Sequence, residues 1–215
     1  MDLFSSLASK TPSIERLSTG TFLLHGFALA NEVQIIHDID RITELAPLRQ
    51  MITPGGFKMS VAMSNCGKFG WVTDRRGYRY DSIDPVSGKP WPDMPDSMLD
   101  LATKAAHAAG FANFIPDACL INRYEPGSRM SLHQDKNELD FSQPIVSVSL
   151  GIPAVFLFGG LERANKTLRL PLLHGDVLVW GNEDRLRFHG ILPLKLAYHP
   201  TLGELRINLT FRKAG

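Results

Sequence analysis

The chain has 215 residues, 44% of them hydrophobic, with 23 lysines and arginines against 22 acids and a formal net charge of +1 at pH 7. That length can bury a substantial core, as one large all-β domain or two small ones, and the balanced charge excludes a chain-wide polycation, so a polyanionic partner must be held by a local patch. Cys66 and Cys119 lack metal or redox spacing, and the early apolar stretch from Thr21 to Ala30 is short and broken by His25; a cytoplasmic monomer with two free thiols, no signal peptide and no membrane span is expected.

In chain order, Val33, Ile36, Ile39, Ile42 and Leu45 recur at helical spacing, with Asn31 as N-cap and Pro47 beyond the end, which predicts a first helix. From Phe57 to Trp91 the six cations Lys58, Lys68, Arg75, Arg76, Arg79 and Lys89 face three acids, Asp74, Asp81 and Asp84. Trp71, Tyr78, Tyr80 and Trp91 are interleaved with them, a mixture that suits stacked bases and phosphates. The same aromatics could instead pack a twisted hairpin onto the body. Asp96 to Ala109 predicts a second helix, with Asp96 or Ser97 as cap and Gly110 as its stop.

From Asp117 onward short strand-like runs dominate: 118–124, 145–150, 154–158, 168–172, 177–180, 188–192 and 205–212, separated by turns rich in Gly, Pro and Asn. Many short strands after two helices make the class α+β and mainly β, with the helices buttressing one sheet of a sandwich or jelly-roll barrel.

Chemistry concentrates late. His133-Gln134-Asp135 and the distant His189 supply two imidazoles and a carboxylate, which cover one face of an octahedral metal and leave the rest open, the pattern of non-haem Fe(II) oxygenases. His174-Gly175-Asp176 also fits His-x-Asp, yet it precedes the apolar run 177–180 and reads as a turn entering a strand. In 206–212, Arg206, Asn208, Thr210 and Arg212 share one strand face and Ile207, Leu209 and Phe211 the other. Two arginines and an amide on one face suit a planar dicarboxylate. Asn122 and Tyr124 share a face of the 118–124 run and add an amide and a phenol.

With these residues in view, the sequence resembles the bacterial AlkB family of Fe(II)- and 2-oxoglutarate-dependent nucleic-acid dealkylases. The likeness runs from about Arg49 to Gly215. It is densest at 51–56, Asn122-Arg123-Tyr124, 133–136, Phe158-Gly159-Gly160-Leu161 and 206–212. The resemblance implies one dioxygenase domain over 1–215: an N-terminal extension and helix (1–50), a nucleotide-recognition lid (51–91), and a helix with a double-stranded β-helix core (92–215). It implies Fe(II) on His133, Asp135 and His189, and 2-oxoglutarate on Asn122, Tyr124, Arg206, Asn208 and Arg212, with O2 as the third reactant. Trp71, Tyr78, Arg79, Tyr80, Asn137 and Arg163 become substrate contacts, and the substrate alkylated single- or double-stranded DNA, with RNA left open.

Two positions depart from that family's pattern. Asn137 stands where an acid is usual after His-x-Asp-Lys, and Phe57 where a tyrosine is usual. Both bear on which lesion is preferred, and neither bears on metal or co-substrate. The competing readings are a 2-oxoglutarate hydroxylase of a protein or small molecule, and a non-catalytic barrel with a structural metal. An open three-ligand site argues against the second, because structural zinc is normally closed by four protein ligands.

Overall fold

The computed structural model describes residues 13–215. Among them the order is β1 (Ser13–Arg16), β2 (Thr21–His25), α1 (Glu32–Leu45), β3 (Ala62–Gly67), β4 (Gly70–Asp74), β5 (Gly77–Asp81) and α2 (Asp96–Ala108). Then follow β6 (Ala118–Tyr124), β7 (Met130–His133), β8 (Ile145–Gly151), β9 (Ala154–Phe158), β10 (Leu168–Leu172), β11 (Val177–Trp180), β12 (His189–Ile191) and β13 (Arg206–Arg212). A seven-stranded sheet has the order β1-β2-β11-β8-β13-β6-β3, a four-stranded sheet the order β10-β9-β12-β7, and β4-β5 form a separate hairpin. Every pairing is antiparallel.

Two apolar clusters make three layers. One joins α1 and α2 to the outer face of the large sheet, through residues such as Ile35, Ile39, Met98, Leu101, Ile121, Val146, Leu209 and Phe211. The other fills the space between the sheets, through Leu120, Tyr124, Ile145, Phe156, Phe158, Leu178, Trp180 and Ile191. The sandwich and its helical buttress are those expected for an α+β, mainly β jelly-roll.

β13 lies between β8 and β6. The helices cover one face of this sheet and the second sheet covers the other, and all seven residues of β13 are buried. Ile207, Leu209 and Phe211 join the helix-side cluster, so the strand's alternation sends Arg206, Asn208, Thr210 and Arg212 between the sheets. Burying polar groups there costs free energy unless they find partners.

The sequence misplaced α1's buried stripe. Ile35, Asp38, Ile39 and Ile42 are its buried residues, while Val33 and Leu45 are 78% and 75% exposed. The stripe is centred on a carboxylate that hydropathy counts against it: the Ser97 hydroxyl donates to Asp38 at 2.5 Å across the α1–α2 contact. That bond engages the Ser97 hydroxyl away from a cap, and Asp96 is already the first helical residue of α2. Pro95 occupies the cap position and Asn31 caps α1, neither with a side-chain bond. Gly110 does follow α2 with φ +87°, as its stop.

Six strands, β1 to β5 and β7, were not marked by the apolar runs. β2 and β3 come from segments expected as an extension and as a lid, yet both lie in the large sheet. Among the described residues only β4 and β5 stand apart from the sandwich. Cys66 and Cys119 face each other across β3 and β6 as buried free thiols. Burial, then the neighbouring Cys66, pushes the Cys119 thiol up, so it stays protonated and inert.

Candidate metal and co-substrate site

The imidazoles of His133 and His189 meet because β7 and β12 are neighbours with these residues in register. The register shifts between His189 and Ile191, and Gly190 stands in that gap. A Cβ there would meet the Met130 carbonyl oxygen at 2.6 Å, so only glycine lets the strands approach this closely. Asp135 follows β7 on a loop. Its Oδ1 lies 3.7 Å from His133 Nε2 and its Oδ2 3.6 Å from His189 Nε2. One ligand atom from each of the three falls within 4.8 Å of the others, the one such group among the described residues.

Backbone contacts fix the tautomers. His133 Nδ1 is 2.8 Å from the Ser131 carbonyl and His189 Nδ1 is 3.0 Å from that of Arg187. A carbonyl only accepts, so each Nδ1 carries the proton and each Nε2 turns a lone pair toward Asp135. Loss of hydration, and then the His189 ring, pushes His133 down to about 4, which keeps it neutral and able to ligate at neutral pH. Burial works to raise Asp135, but Arg212 and the two imidazoles outweigh it and hold the carboxyl well below its usual range. The second His-x-Asp pair is absorbed elsewhere. His174 Nδ1 accepts from the Gly151 amide at 2.9 Å, and its ring stacks on His199 with centroids 4.1 Å apart. Asp176 accepts from the amides of Gly26 and Leu173.

The triad opens onto one cavity, lined among others by Asn122, Tyr124, Ser147, Phe156, Trp180, Arg206, Asn208, Thr210 and Arg212. The two arginines differ in state. Arg212 donates from Nε and Nη2 to Asp135 Oδ2 at 3.0 and 2.7 Å. Arg206 is 1% exposed, donates from Nη2 to the Ser149 hydroxyl at 3.0 Å, and lies over the Tyr124 ring. Its Nε and Nη1 have no partner, and no acid among the described residues pairs with it. A buried guanidinium with two unused donors is a receptor for an anion. Asn122 Oδ1 is likewise unpartnered, while Asn122 and Thr210 both donate to Asn208 Oδ1. The residues therefore fit both implied groups: a nitrogen- and carboxylate-bound metal with open positions, and a carboxylate beside Arg206.

The hairpin β4–β5 leans on the loop after Asp135. Trp71 Nε1 donates to Asn137 Oδ1 at 3.2 Å, and Trp71 stacks on Tyr78 with centroids 5.6 Å apart. The Tyr80 hydroxyl donates to Glu138 at 2.7 Å and accepts from Arg212 at 3.3 Å. Arg163 donates to the Leu132 carbonyl at 2.6 Å, one residue before His133. Arg79 pairs with Asp74 and Asp81, and Arg76 also pairs with Asp74.

Ser147, Ser149, Glu138 and Arg185 complete the site but escaped the sequence reading. The serines had a signal, since Ile145-Val146-Ser147-Val148-Ser149-Leu150 alternates small polar with apolar residues. Glu138 and Arg185 had none, because their pairing spans 47 positions that only the fold brings together.

The sequence matches the profile of the 2OG-Fe(II) oxygenase superfamily over residues 20–212. It is 55% identical over 215 residues to the alpha-ketoglutarate-dependent dioxygenase AlkB of Escherichia coli strain K12, covering 100% of this chain and 98% of that protein. It is 33% identical over 124 residues to the nucleic acid dioxygenase ALKBH1 of Homo sapiens, 58% of this chain and 32% of that one. The solved structure of OsALKBH1 superposes with a TM-score of 0.82 at 30% identity, covering 94% of this chain and all of the other. Together with the jelly-roll and its His-Asp-His cluster, these likenesses establish that the chain belongs to the AlkB family of Fe(II)- and 2-oxoglutarate-dependent dioxygenases.

Proposed function

We propose that this enzyme repairs N-alkylated bases, such as 1-methyladenine and 3-methylcytosine, in single- or double-stranded DNA by oxidising the alkyl carbon. In this reading His133, Asp135 and His189 hold Fe(II). Arg206 and Arg212, with Asn122, Tyr124 and Asn208, hold 2-oxoglutarate. Trp71, Tyr78, Arg79, Tyr80, Asn137 and Arg163 face the base. The whole chain is one domain acting as a monomer, and the recognition role falls to the β4–β5 hairpin within 51–91. We also place it in the cytoplasm, where its two adjacent thiols stay reduced. Among the described residues no helix is long and apolar enough to cross a membrane.

Bound iron supplies the means of coupling O2 and 2-oxoglutarate, with loss of CO2 and formation of succinate, to hydroxylation of the alkyl carbon, after which the hemiaminal releases an aldehyde. The protein's own work is positioning. Arg206 fixes one carboxylate with charge-assisted hydrogen bonds. Phe156 and Trp180, packed on His189 with centroids 5.7 and 5.1 Å away, keep that side of the metal dry. Trp71 and Tyr78 offer a stacking face, and the target base must leave its stack at a cost of about a few kcal/mol in a duplex.

One juxtaposition carries the reading: the open triad and the unpaired Arg206 share a cavity, and the aromatic hairpin rests on the loop beside it. Succinate release measured with methylated oligonucleotide, unmodified oligonucleotide and protein extract tests it. Methylated oligonucleotide alone should stimulate turnover. Stimulation by protein extract instead would establish the hydroxylase reading.

A further inference from the structure

We propose that Arg185 is a positioning residue for the metal-binding carboxylate: one buried guanidinium holds the 135–143 segment at three points and so aims Asp135 at the two imidazoles. This inference rests on the His133-Asp135-His189 reading of the metal centre.

Arg185 follows the short helical turn Asn182–Asp184 and is 2% exposed. Its Nη1 donates to the backbone carbonyl of Asp135 at 2.9 Å and its Nε to that of Gln143 at 2.9 Å. Its Nη2 lies 3.1 Å from Glu138 Oε2, and the Phe141 ring covers the guanidinium at 5.5 Å. The segment therefore meets Arg185 at its start, middle and end. It needs this, because β7 stops at His133 and the next strand begins at Ile145, so Asp135 has no sheet ladder to orient it. A planar cation with fixed donor directions orients a loop in a way a flexible ammonium cannot.

Burying a guanidinium on two neutral carbonyls is costly unless its charge is balanced. Glu138 balances it, and the same carboxylate accepts from Tyr80 at 2.7 Å and lies 3.5 Å from Arg212 Nε. Arg212 in turn holds Asp135 Oδ2. Two buried arginines thus bracket the metal-binding acid, Arg212 from its carboxylate and Arg185 from its backbone. Glu138 links the pair to the hairpin. Through that link, the placement of Asp135 and the seat of Tyr80 depend on the same residue.

Direct Mn(II) titration of the purified protein, with thermal unfolding followed with and without Mn(II), separates positioning from simple stabilisation. Arg185→Lys keeps a charge for Glu138 but cannot reach both carbonyls, and it should weaken Mn(II) binding about 10-fold or more, the usual loss when a group orienting a metal ligand is changed. Arg185→Gln should weaken it further. Phe141→Leu removes only the aromatic face over the guanidinium and should leave Mn(II) affinity near that of the parent, since both carbonyl contacts of Arg185 stay in place. In each Arg185 variant the upward shift of the unfolding midpoint by Mn(II) should shrink, because that shift measures binding to the folded state. Arg185→Lys and Arg185→Gln proteins that unfold earlier but bind Mn(II) like the parent would overturn the proposal. If the parent binds no Mn(II), or His133→Ala binds it normally, the triad reading fails instead. Should Arg185→Gln not fold, Arg185→Lys decides alone.

Discussion

Arg206 and Arg212 sit on the same face of one strand, yet their neighbours give them different work. Arg212 is already committed to Asp135, whereas Arg206 has two buried donors to spare. Arg206→Ala should therefore raise the 2-oxoglutarate concentration needed for half-saturation by about 10- to 100-fold, given about 1.5–3 kcal/mol for a hydrogen bond to a charged group, while Mn(II) affinity stays near the parent value. Arg212→Ala should weaken both, since it strips the metal-binding carboxylate of its counter-ion. Two variants with the same profile in paired titrations would contradict this division. The two His-x-Asp pairs differ just as sharply. His133→Ala and Asp135→Ala should abolish turnover and Mn(II) binding. His174→Ala should keep both and lose about 1–3 kcal/mol of stability, the cost of leaving the Gly151 amide unpaired. Loss of Mn(II) binding in folded His174→Ala would move the metal site.

At the level of elements, alternation carried most of what could be read. β13 declares itself because polar residues recur every second position between apolar ones, and β6, β9, β10 and β11 have the bounds their apolar runs suggest. β7 has no such run; it exists because β12 needs a partner to bring the histidines together. Gly190→Ala should accordingly separate these strands and lower Mn(II) affinity more than it lowers overall stability, which titration and thermal unfolding can compare. The helix α1 shows the opposite case, a periodicity that is present but centred wrongly. Ile39, 2% exposed, should cost about 2–5 kcal/mol on replacement by Ala, as buried isoleucines do. Val33→Ser should fall within about 0.5 kcal/mol of the parent, as exposed substitutions do. Denaturant unfolding of the two variants distinguishes the observed stripe from the one hydropathy suggests. What sequence could not show is pairing across distance: Ser97 with Asp38, and Arg185 with Glu138.

Over the whole molecule, a net charge near zero leaves nucleic-acid binding to a local patch of cations. Arg76 and Arg79 hold the Asp74 carboxyl well below its ordinary value, so each already has an acidic partner before any phosphate arrives. Arg75 is exposed and has no acidic partner among the described residues. It is therefore the arginine of this run best able to release counterions on binding. Arg75→Ala should flatten the dependence of log affinity on log salt by about one unit, the change expected for a single phosphate contact. Trp71→Ala should instead cost about 1–3 kcal/mol at every salt concentration, because stacking on a base is not ionic. It should also release Asn137, whose amide oxygen now accepts from the indole, and so disturb discrimination between lesions as well as affinity. Both variants should still convert 2-oxoglutarate slowly without substrate, since the triad and Arg206 are untouched. Binding isotherms with a methylated oligonucleotide at several salt concentrations provide the measurement. If Arg75→Ala leaves the slope unchanged and Trp71→Ala leaves affinity unchanged, the hairpin is a structural cover and the nucleic acid is gripped elsewhere.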